Sequence, residues 1–309
     1  MEFEITHVTS YAYEHPAAEA YLETRLTPPD TAHQTVLRRA LMIDPPTPTS
    51  AYTDYFGNNT EFFSLPWRHR SLAVVNEAVV RTHPQPLPAA GLDVAVDEAR
   101  QIFASAPEQH YDYLQATNSV GRHREAHQWA RKFLAGHFTL GDALPKLNRA
   151  VHEHFTYESG STENSTPIEV VWKQRRGVCQ DFTHVMLSVL RTAGLPARYV
   201  CGYIETDPPA PRPGDTRRRL VGAVATHAWV EVLLPGLTWV GLDPTNDKYC
   251  DDRHVVVSYG RDYSDATPIR GTFKGAGRQR MKVKVLMRRR SRPASSPVPP
   301  AAPAAPMVA

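Results

Sequence analysis

Cys179, His227 and Asp243 are the side chains whose types and order could do covalent chemistry. Cys179 sits in Arg176-Gly177-Val178-Cys179-Gln180-Asp181-Phe182, at the start of the strongest helical pattern in the chain. A thiol there faces backbone N–H groups without intrahelical partners and the positive end of the helix dipole. Both favour thiolate over thiol. Gly177, two residues earlier, removes side-chain bulk so that a carbonyl can approach. Taken alone, such a cysteine reads more readily as a small buried hydrophobe. His227 opens the strand pattern Ala228-Trp229-Val230-Glu231-Val232, where an imidazole can project into a cleft at a sheet edge. It is one of 14 histidines, and a packed or surface histidine is the plainer reading of it alone. Asp243 ends the strand pattern Trp239-Val240-Gly241-Leu242 and precedes Pro244. It can accept from an imidazole on a neighbouring strand, fixing the tautomer and favouring imidazolium, or simply close a turn. A cysteine at a helix start, then a histidine on a strand, then an aspartate on the next strand is the order of a thiol site on an α+β fold.

The elements that must position these residues follow from periodicity. Phe3, Ile5, His7, Thr9, Tyr11 and Tyr13 alternate with smaller or polar neighbours, the period of a half-buried strand. Residues 21–26, 36–43 and 71–82 read as further strands. Aromatic runs flank Gly57-Asn58-Asn59 as in a hairpin. Prolines 84, 86 and 88 mark a boundary. The pattern then turns helical over 92–104, 122–135, 141–155 and 168–174. Over 178–193, Val178, Phe182, Val185, Met186, Val189 and Leu190 recur at three- and four-residue intervals, and Gly194 and Pro196 end the run. Strand patterns follow at 197–204, 228–234, 238–242, 254–258 and 281–287, with a polar, proline-rich loop at 206–219. Helices before strands make an α+β arrangement. The expected domains are an antiparallel β module, a sandwich, over residues 1–85, a core over 86–290, and a disordered tail over 291–309.

Composition removes several classes of function. The chain has 309 residues, enough for about two domains. Lys and Arg total 35 against 32 Asp and Glu, a near-balance that argues against nucleic acid as a partner. No apolar run approaches the roughly 18 residues of a membrane span. The first residues, Met1-Glu2-Phe3-Glu4, do not resemble a signal peptide. The expectation is a cytoplasmic protein that does not bind membranes. The 3 cysteines form neither a disulfide framework nor a CxxC pair. His152-Glu153-His154 lacks the HExxH spacing of a zinc site. No metal and no cofactor are expected. The chain has 27 prolines, and much of the excess sits with serine and alanine after Ser291, where too little apolar surface exists to fold.

Together the motifs resemble the bacterial transglutaminase-like superfamily. They are Gly177-Val178-Cys179-Gln180-Asp181-Phe182, His227-Ala228-Trp229-Val230-Glu231 and Asp243-Pro244-Thr245. Further matches are Arg191-x-x-Gly194-x-Pro196-Ala197-Arg198-Tyr199-Val200, Gly260-Arg261-Asp262-Tyr263 and Pro268-Ile269-Arg270-Gly271. The N-terminal segment is similar to the small β domain that often precedes this core. The resemblance implies a papain-like, transglutaminase-like core of helices on an antiparallel sheet. It also implies a Cys179–His227–Asp243 triad that acts on peptide or protein amides through a thioester. Asp181, Trp229, His254 and Trp172 are candidate substrate contacts. Trp172 lies only seven residues before Cys179, so the oxyanion role of a far-upstream tryptophan is not carried over to it. His184 is expected to point away from the thiol, Cys201 to be core, and Cys250 to be a free thiol in a polar loop. Three readings compete: an amide hydrolase or acyltransferase with hydrolysis ahead of crosslinking, an arylamine-type acetyltransferase, and a non-catalytic peptide-binding scaffold.

Overall fold

The computed structural model describes residues 1–136, 138–206, 220, 221 and 225–290. Six strands come first: β1 (Glu2–Ala17), β2 (Glu19–Thr24), β3 (Gln34–Asp44), β4 (Thr49–Thr53), β5 (Asn59–Leu65) and β6 (His69–Thr82). The helical stretch holds α1 (Ala89–Leu92), α2 (Val96–Ser105), α3 (Tyr111–Leu114), α4 (Arg124–Phe133) and α5 (Leu140–His154). The two-residue strand β7 (Thr156–Tyr157), α6 (Ile168–Gln174), β8 (Arg176–Gly177) and α7 (Cys179–Thr192) follow. Then come β9 (Ala197–Ile204), β10 (His227–Leu233), β11 (Trp239–Asp243), β12 (Lys248–Tyr249) and β13 (His254–Gly260). The last elements are α8 (Tyr263–Ala266), β14 (Ile269–Lys274) and β15 (Gln279–Arg289).

The core is an antiparallel sheet in the order β12-β11-β10-β9-β13 with α7 laid across it. Ala228, Val230 and Val232 share a cluster with Phe182, Val185, Met186 and Val189 of α7. Helices α4, α5 and α6 cover the other side of α7, so even its polar residues are buried. Most of those have a partner. Thr183 Oγ1 donates to the Cys179 carbonyl at 2.8 Å, and His184 Nε2 accepts from Tyr263 N–H at 3.2 Å. The Arg191 guanidinium donates to the Ala197 carbonyl at 2.9 Å and to the Gln115 carbonyl at 3.0 Å. These bonds lock the helix to β9 and to the start of α8, which holds its N-terminus in one place.

The N-terminal sandwich consists of two four-stranded sheets, β15-β1-β6-β3 and β14-β2-β5-β4. They face each other over Tyr11, Tyr13, Leu22, Phe63, Leu65 and Leu72. Strands β14 and β15, within the span 86–290 expected of the core, pair in these two sheets. The reason is an open edge. β1 is 16 residues long and β6 covers only one side of it. β15 supplies the other side along a continuous register from Phe3↔Arg289 to Tyr13↔Gln279. A second contact ties sandwich to core: Phe3, Ile5, Ala78 and Val80 pack on Tyr203, Val255 and Val257. No described helix is long and apolar enough to cross a membrane. The expected proline-rich loop and C-terminal tail lie outside the described residues, the loop but for its first residue.

Candidate active site

The site is built on the first turn of α7. Val178 is its N-cap, and Asp181 three residues on turns back to accept the Val178 N–H at 2.7 Å. The same Asp181 oxygen accepts from Thr162 Oγ1 at 2.6 Å. This is the reciprocal half of a capping box, and it fixes where the helix begins. Burial pushes the Asp181 carboxyl pKa up, against the lowering effect of its two hydrogen bonds. Gly177 is required by the cap itself, since a Cβ there would lie 2.6 Å from Asp181 Oδ2. Cys179 is thereby the first helical residue. Its own N–H belongs to the turn whose donors no helical carbonyl can satisfy, so an oxyanion placed there finds a donor.

His227 is the first residue of β10 and Asp243 the last of β11, both fully buried. His227 Nε2 lies 2.8 Å from Asp243 Oδ2. With Nε2 committed to the carboxylate, Nδ1 is the ring nitrogen left for Cys179, and no other described group bonds it. Burial alone would push the His227 pKa down. The Asp243 charge and hydrogen bond, followed by Cys179, outweigh burial and raise it to about 9. Asp243 is itself anchored. Its Oδ1 accepts from Thr245 N–H at 3.0 Å and Asn246 N–H at 3.2 Å. Its Oδ2 also accepts from Asn246 Nδ2 at 2.7 Å and bonds His254 Nε2 at 3.3 Å. Burial would raise the Asp243 pKa, but the His227 charge, with the His227 and His254 hydrogen bonds, holds it far below the usual carboxylate range. A buried carboxylate with this many donors stays ionised and keeps the imidazole in one orientation.

The four candidate substrate contacts all sit elsewhere. Asp181 is the helix cap. Trp229 is sealed against Val200, Cys250 and Val256. His254 stands behind Asp243, with Nδ1 against Asp251 at 3.1 Å. Burial lowers the His254 pKa, but Asp243 and Asp251 outweigh that and raise it. Trp172 belongs to an aromatic cluster with Trp129 and Phe155, with ring centroids 5.2 Å away in each case. None of the four lines the cleft over Cys179. His184 accepts from the Tyr263 N–H, and burial lowers its pKa to about 4. Cys201 is core, with burial raising its thiol pKa to about 12. Cys250 is buried under Trp229 instead of lying free in a polar loop, and burial pushes its thiol up too.

The cleft, about 830 Å³ in volume, holds Cys179 and His227 at the junction of core and sandwich. Three core tyrosines that sequence reasoning missed, Tyr157, Tyr199 and Tyr263, line it. Each has its hydroxyl pKa raised first by burial and further by the neighbouring Cys179. Asn164 donates to the Tyr263 hydroxyl at 3.0 Å and accepts from Gln180 Nε2 at 3.2 Å, which ties the loop before α6 to both helices. The opposite wall comes from β1, β14 and β15. The signal for Tyr263 was its place in Gly260-Arg261-Asp262-Tyr263. Asn246, three residues after Asp243, carried none.

A papain-like α+β fold that presents a thiol, a buried imidazole and a buried carboxylate defines the class of protein. The transglutaminase-like superfamily pattern matches residues 127–244, and the bacterial transglutaminase-like N-terminal region matches residues 3–81. An uncharacterized protein of Mycobacterium tuberculosis is 36% identical over 279 residues, covering 87% of this chain and 86% of its own. One from Mycobacterium leprae is 30% identical over 92% of this chain and 98% of its own. The protein-glutamine gamma-glutamyltransferase of Pseudomonas aeruginosa is 35% identical, over 32% of this chain and 14% of its own. A solved candidate cysteine protease from Cytophaga hutchinsonii superposes with a TM-score of 0.73 at 19% identity, covering 95% and 92% of the two chains. The chain belongs to the transglutaminase-like superfamily.

Proposed function

We propose that the protein is a thiol-dependent amide hydrolase or acyltransferase that acts on peptide or protein amides through Cys179, His227 and Asp243. The observation that carries this reading is the fully buried 2.8 Å His227–Asp243 bond. It leaves Nδ1 facing a cysteine at a helix N-terminus inside a substrate-sized cleft. The Cys179 sulfur attacks the amide carbonyl carbon, and the oxygen gathers negative charge beside the Cys179 N–H. The His227 imidazolium gives its Nδ1 proton to the departing nitrogen as the C–N bond breaks, leaving a thioester and a neutral imidazole. Asp243 stabilises the imidazolium and stays ionised throughout. A water molecule then loses a proton to Nδ1 and attacks the thioester. The C–S bond breaks to give a carboxylic acid, which ionises to solvent as it departs, and the Cys179 thiolate and His227 imidazolium are restored.

An amine in place of water gives a crosslink. Hydrolysis is the favoured branch because no described lining residue of the cleft is acidic, so nothing there recruits a lysine ammonium. Purified protein tested in parallel for ammonia release from glutamine peptides, amine incorporation and peptide-bond cleavage decides the branch. Ammonia or new termini without amine incorporation supports hydrolysis. Amine incorporation in excess of both reverses the preference. Turnover that persists in Cys179→Ala overturns the whole reading.

A further inference from the structure

Strand β14 lines the cleft in an unusual way. The β1 residues that border it are His7, Thr9, Tyr11 and Tyr13, and those of β15 are Gln279, Met281 and Val283. Every second residue borders the cavity, as for strands that present a face. From Thr267 to Phe273, by contrast, every residue borders it. Successive side chains of a strand point to opposite faces, so an unbroken run means that the cavity touches β14 along its hydrogen-bonding edge. β14 is indeed terminal in its sheet, with β2 as its sole neighbour among the described residues.

The register says which backbone groups are free. Arg25 N–H donates to the Pro268 carbonyl at 2.8 Å, so Pro268 faces β2. In an antiparallel pair this orientation alternates. Arg270 and Thr272 therefore also face β2. The N–H and C=O groups of Ile269, Gly271 and Phe273 face outward into the cleft, and no described group bonds them. Three outward donor–acceptor pairs at two-residue spacing are the template for an added strand. The template is continuous with the thiol site, because Tyr263, which lines the same cleft as Cys179, begins α8, and α8 leads within three residues into β14.

We infer that the substrate is an extended polypeptide segment that adds to the free edge of β14 as an extra strand and so delivers one of its amides to Cys179. The inference rests on the reading of Cys179 as the nucleophile. It makes the N-terminal sandwich, completed by β14, half of the substrate site. Recognition is then mainly of backbone, with Tyr11, Tyr13, Met281 and Phe273 offering apolar surface to alternate side chains of the guest.

An affinity label separates the two claims. Iodoacetamide reads the Cys179 thiolate alone, and iodoacetyl-Leu-Thr-Val-Thr-Leu-amide reads the thiolate and the strand site together. In each case the sulfur displaces iodide. The peptide is expected to alkylate Cys179 about tenfold faster than iodoacetamide, the worth of one or two net backbone hydrogen bonds. N-methylating one alternate set of its amides should remove that gain, and methylating the other set should keep most of it. Ile269→Pro deletes one outward N–H without touching the ladder to β2, since an edge strand tolerates proline at such a position. It should lower the ratio of peptide to iodoacetamide rates, whereas Ile269→Ala should lower it less. Equal rates for peptide and iodoacetamide, or equal effects of the two methylated sets, would overturn the strand site and leave the nucleophile standing. A Cys179 inert to both reagents removes nucleophile and strand site together. A solution dimer whose dissociation speeds peptide labelling would place a second copy of the chain on this edge and overturn the inference.

Discussion

The core sheet and the N-terminal sandwich are both antiparallel, but they spend their residues differently. In β10 only Glu231 falls short of full burial, and that residue bonds Arg198 at 2.8 Å. In β4 all five residues are exposed, and β3 is exposed or half-buried along nearly its whole length. The core surrounds each reacting group with packed neighbours, so the imidazole and carboxylate have one arrangement available. The sandwich buries one side of its sheets and leaves outer strands to solvent. Its cleft-facing wall, formed by β1, β14 and β15, is the part that touches substrate in the proposed reading. Substitutions should therefore be costly in the core, mild on the outer sandwich strands, and selective for substrate on the wall between them.

The sharpest break of that contrast lies at the three proposed reacting groups. Cys179→Ala should abolish thioester formation, as read by mass spectrometry of the trapped acyl-protein. His227→Ala should come close to this. Asp243→Asn should lower kcat/KM on the order of a thousandfold, because the amide can hold the ring in the wrong tautomer and cannot stabilise imidazolium. Combining His227→Ala with Asp243→Asn should be little worse than His227→Ala alone. Additive losses with folding intact by circular dichroism would place Asp243 outside the unit.

Those three residues were legible because each sits at an element start or end that local pattern reveals, within motifs that could be read in order. Helix α6 and strand β9 were read at their observed limits, 168–174 and 197–204. What the sequence hid is non-local. Nothing in Met281-Lys282-Val283-Lys284-Val285 says that its partner is β1, more than 270 residues earlier in the register Val283↔Thr9. Period-two alternation gives a strand and a face, but not a neighbour. The other side-chain partners of Asp243, Asn246 and His254, were equally invisible. His254 reached it only through the turn that also places Asp251, and Trp172 looked like a site residue until its aromatic cluster was seen. Cys250 read as a loop thiol because its sequence neighbours are polar, while its neighbour in space is Trp229.

A smaller but clear difference should appear in stability. Leu187 is fully buried on α7, and Leu187→Ala should cost about 2–5 kcal/mol for the lost contacts and the cavity left behind. Met42 on β3 is 47% exposed, and Met42→Ala should stay within about 0.5 kcal/mol. Urea unfolding of both variants checks the pair. A similar cost at both positions would mean that the outer sandwich strands are covered in solution.

The pH dependence sharpens the same point at lower amplitude. Burial lowers the His227 pKa, yet Asp243 and then Cys179 raise it to about 9, so the imidazolium persists well above the ordinary histidine range of about 6.5. The sign follows. The stability gained from charged His227 is fully present below the unfolded value and is lost as pH rises through about 9. Activity that needs the imidazolium should fall over the same rise. The kcat/KM profile should show a descending alkaline limb near pH 9, set by His227. In Asp243→Asn the limb should move to lower pH, because the carboxylate charge is what holds the proton. An unmoved limb would assign the titration to another group.

The smallest effect is expected at the end of the chain, where the comparison predicts almost nothing. Arg289 closes the register of β15 against Phe3, and the Arg290 N–H donates to the Glu2 carbonyl at 2.9 Å. A chain ending at Arg290 therefore keeps every described strand of both sheets and every described residue that lines the cleft. The residues beyond it are mostly serine, proline and alanine, a composition with little apolar area to bury against either domain. Truncation after Arg290 should leave the melting temperature within a degree or two and kcat/KM within about twofold, since that composition offers little to pack and none of the proposed reacting groups is removed. Differential scanning calorimetry beside the ammonia-release assay measures both. A drop of several degrees would show that the segment after Arg290 docks on the sandwich. A loss of activity at unchanged stability would instead place it at the mouth of the cleft.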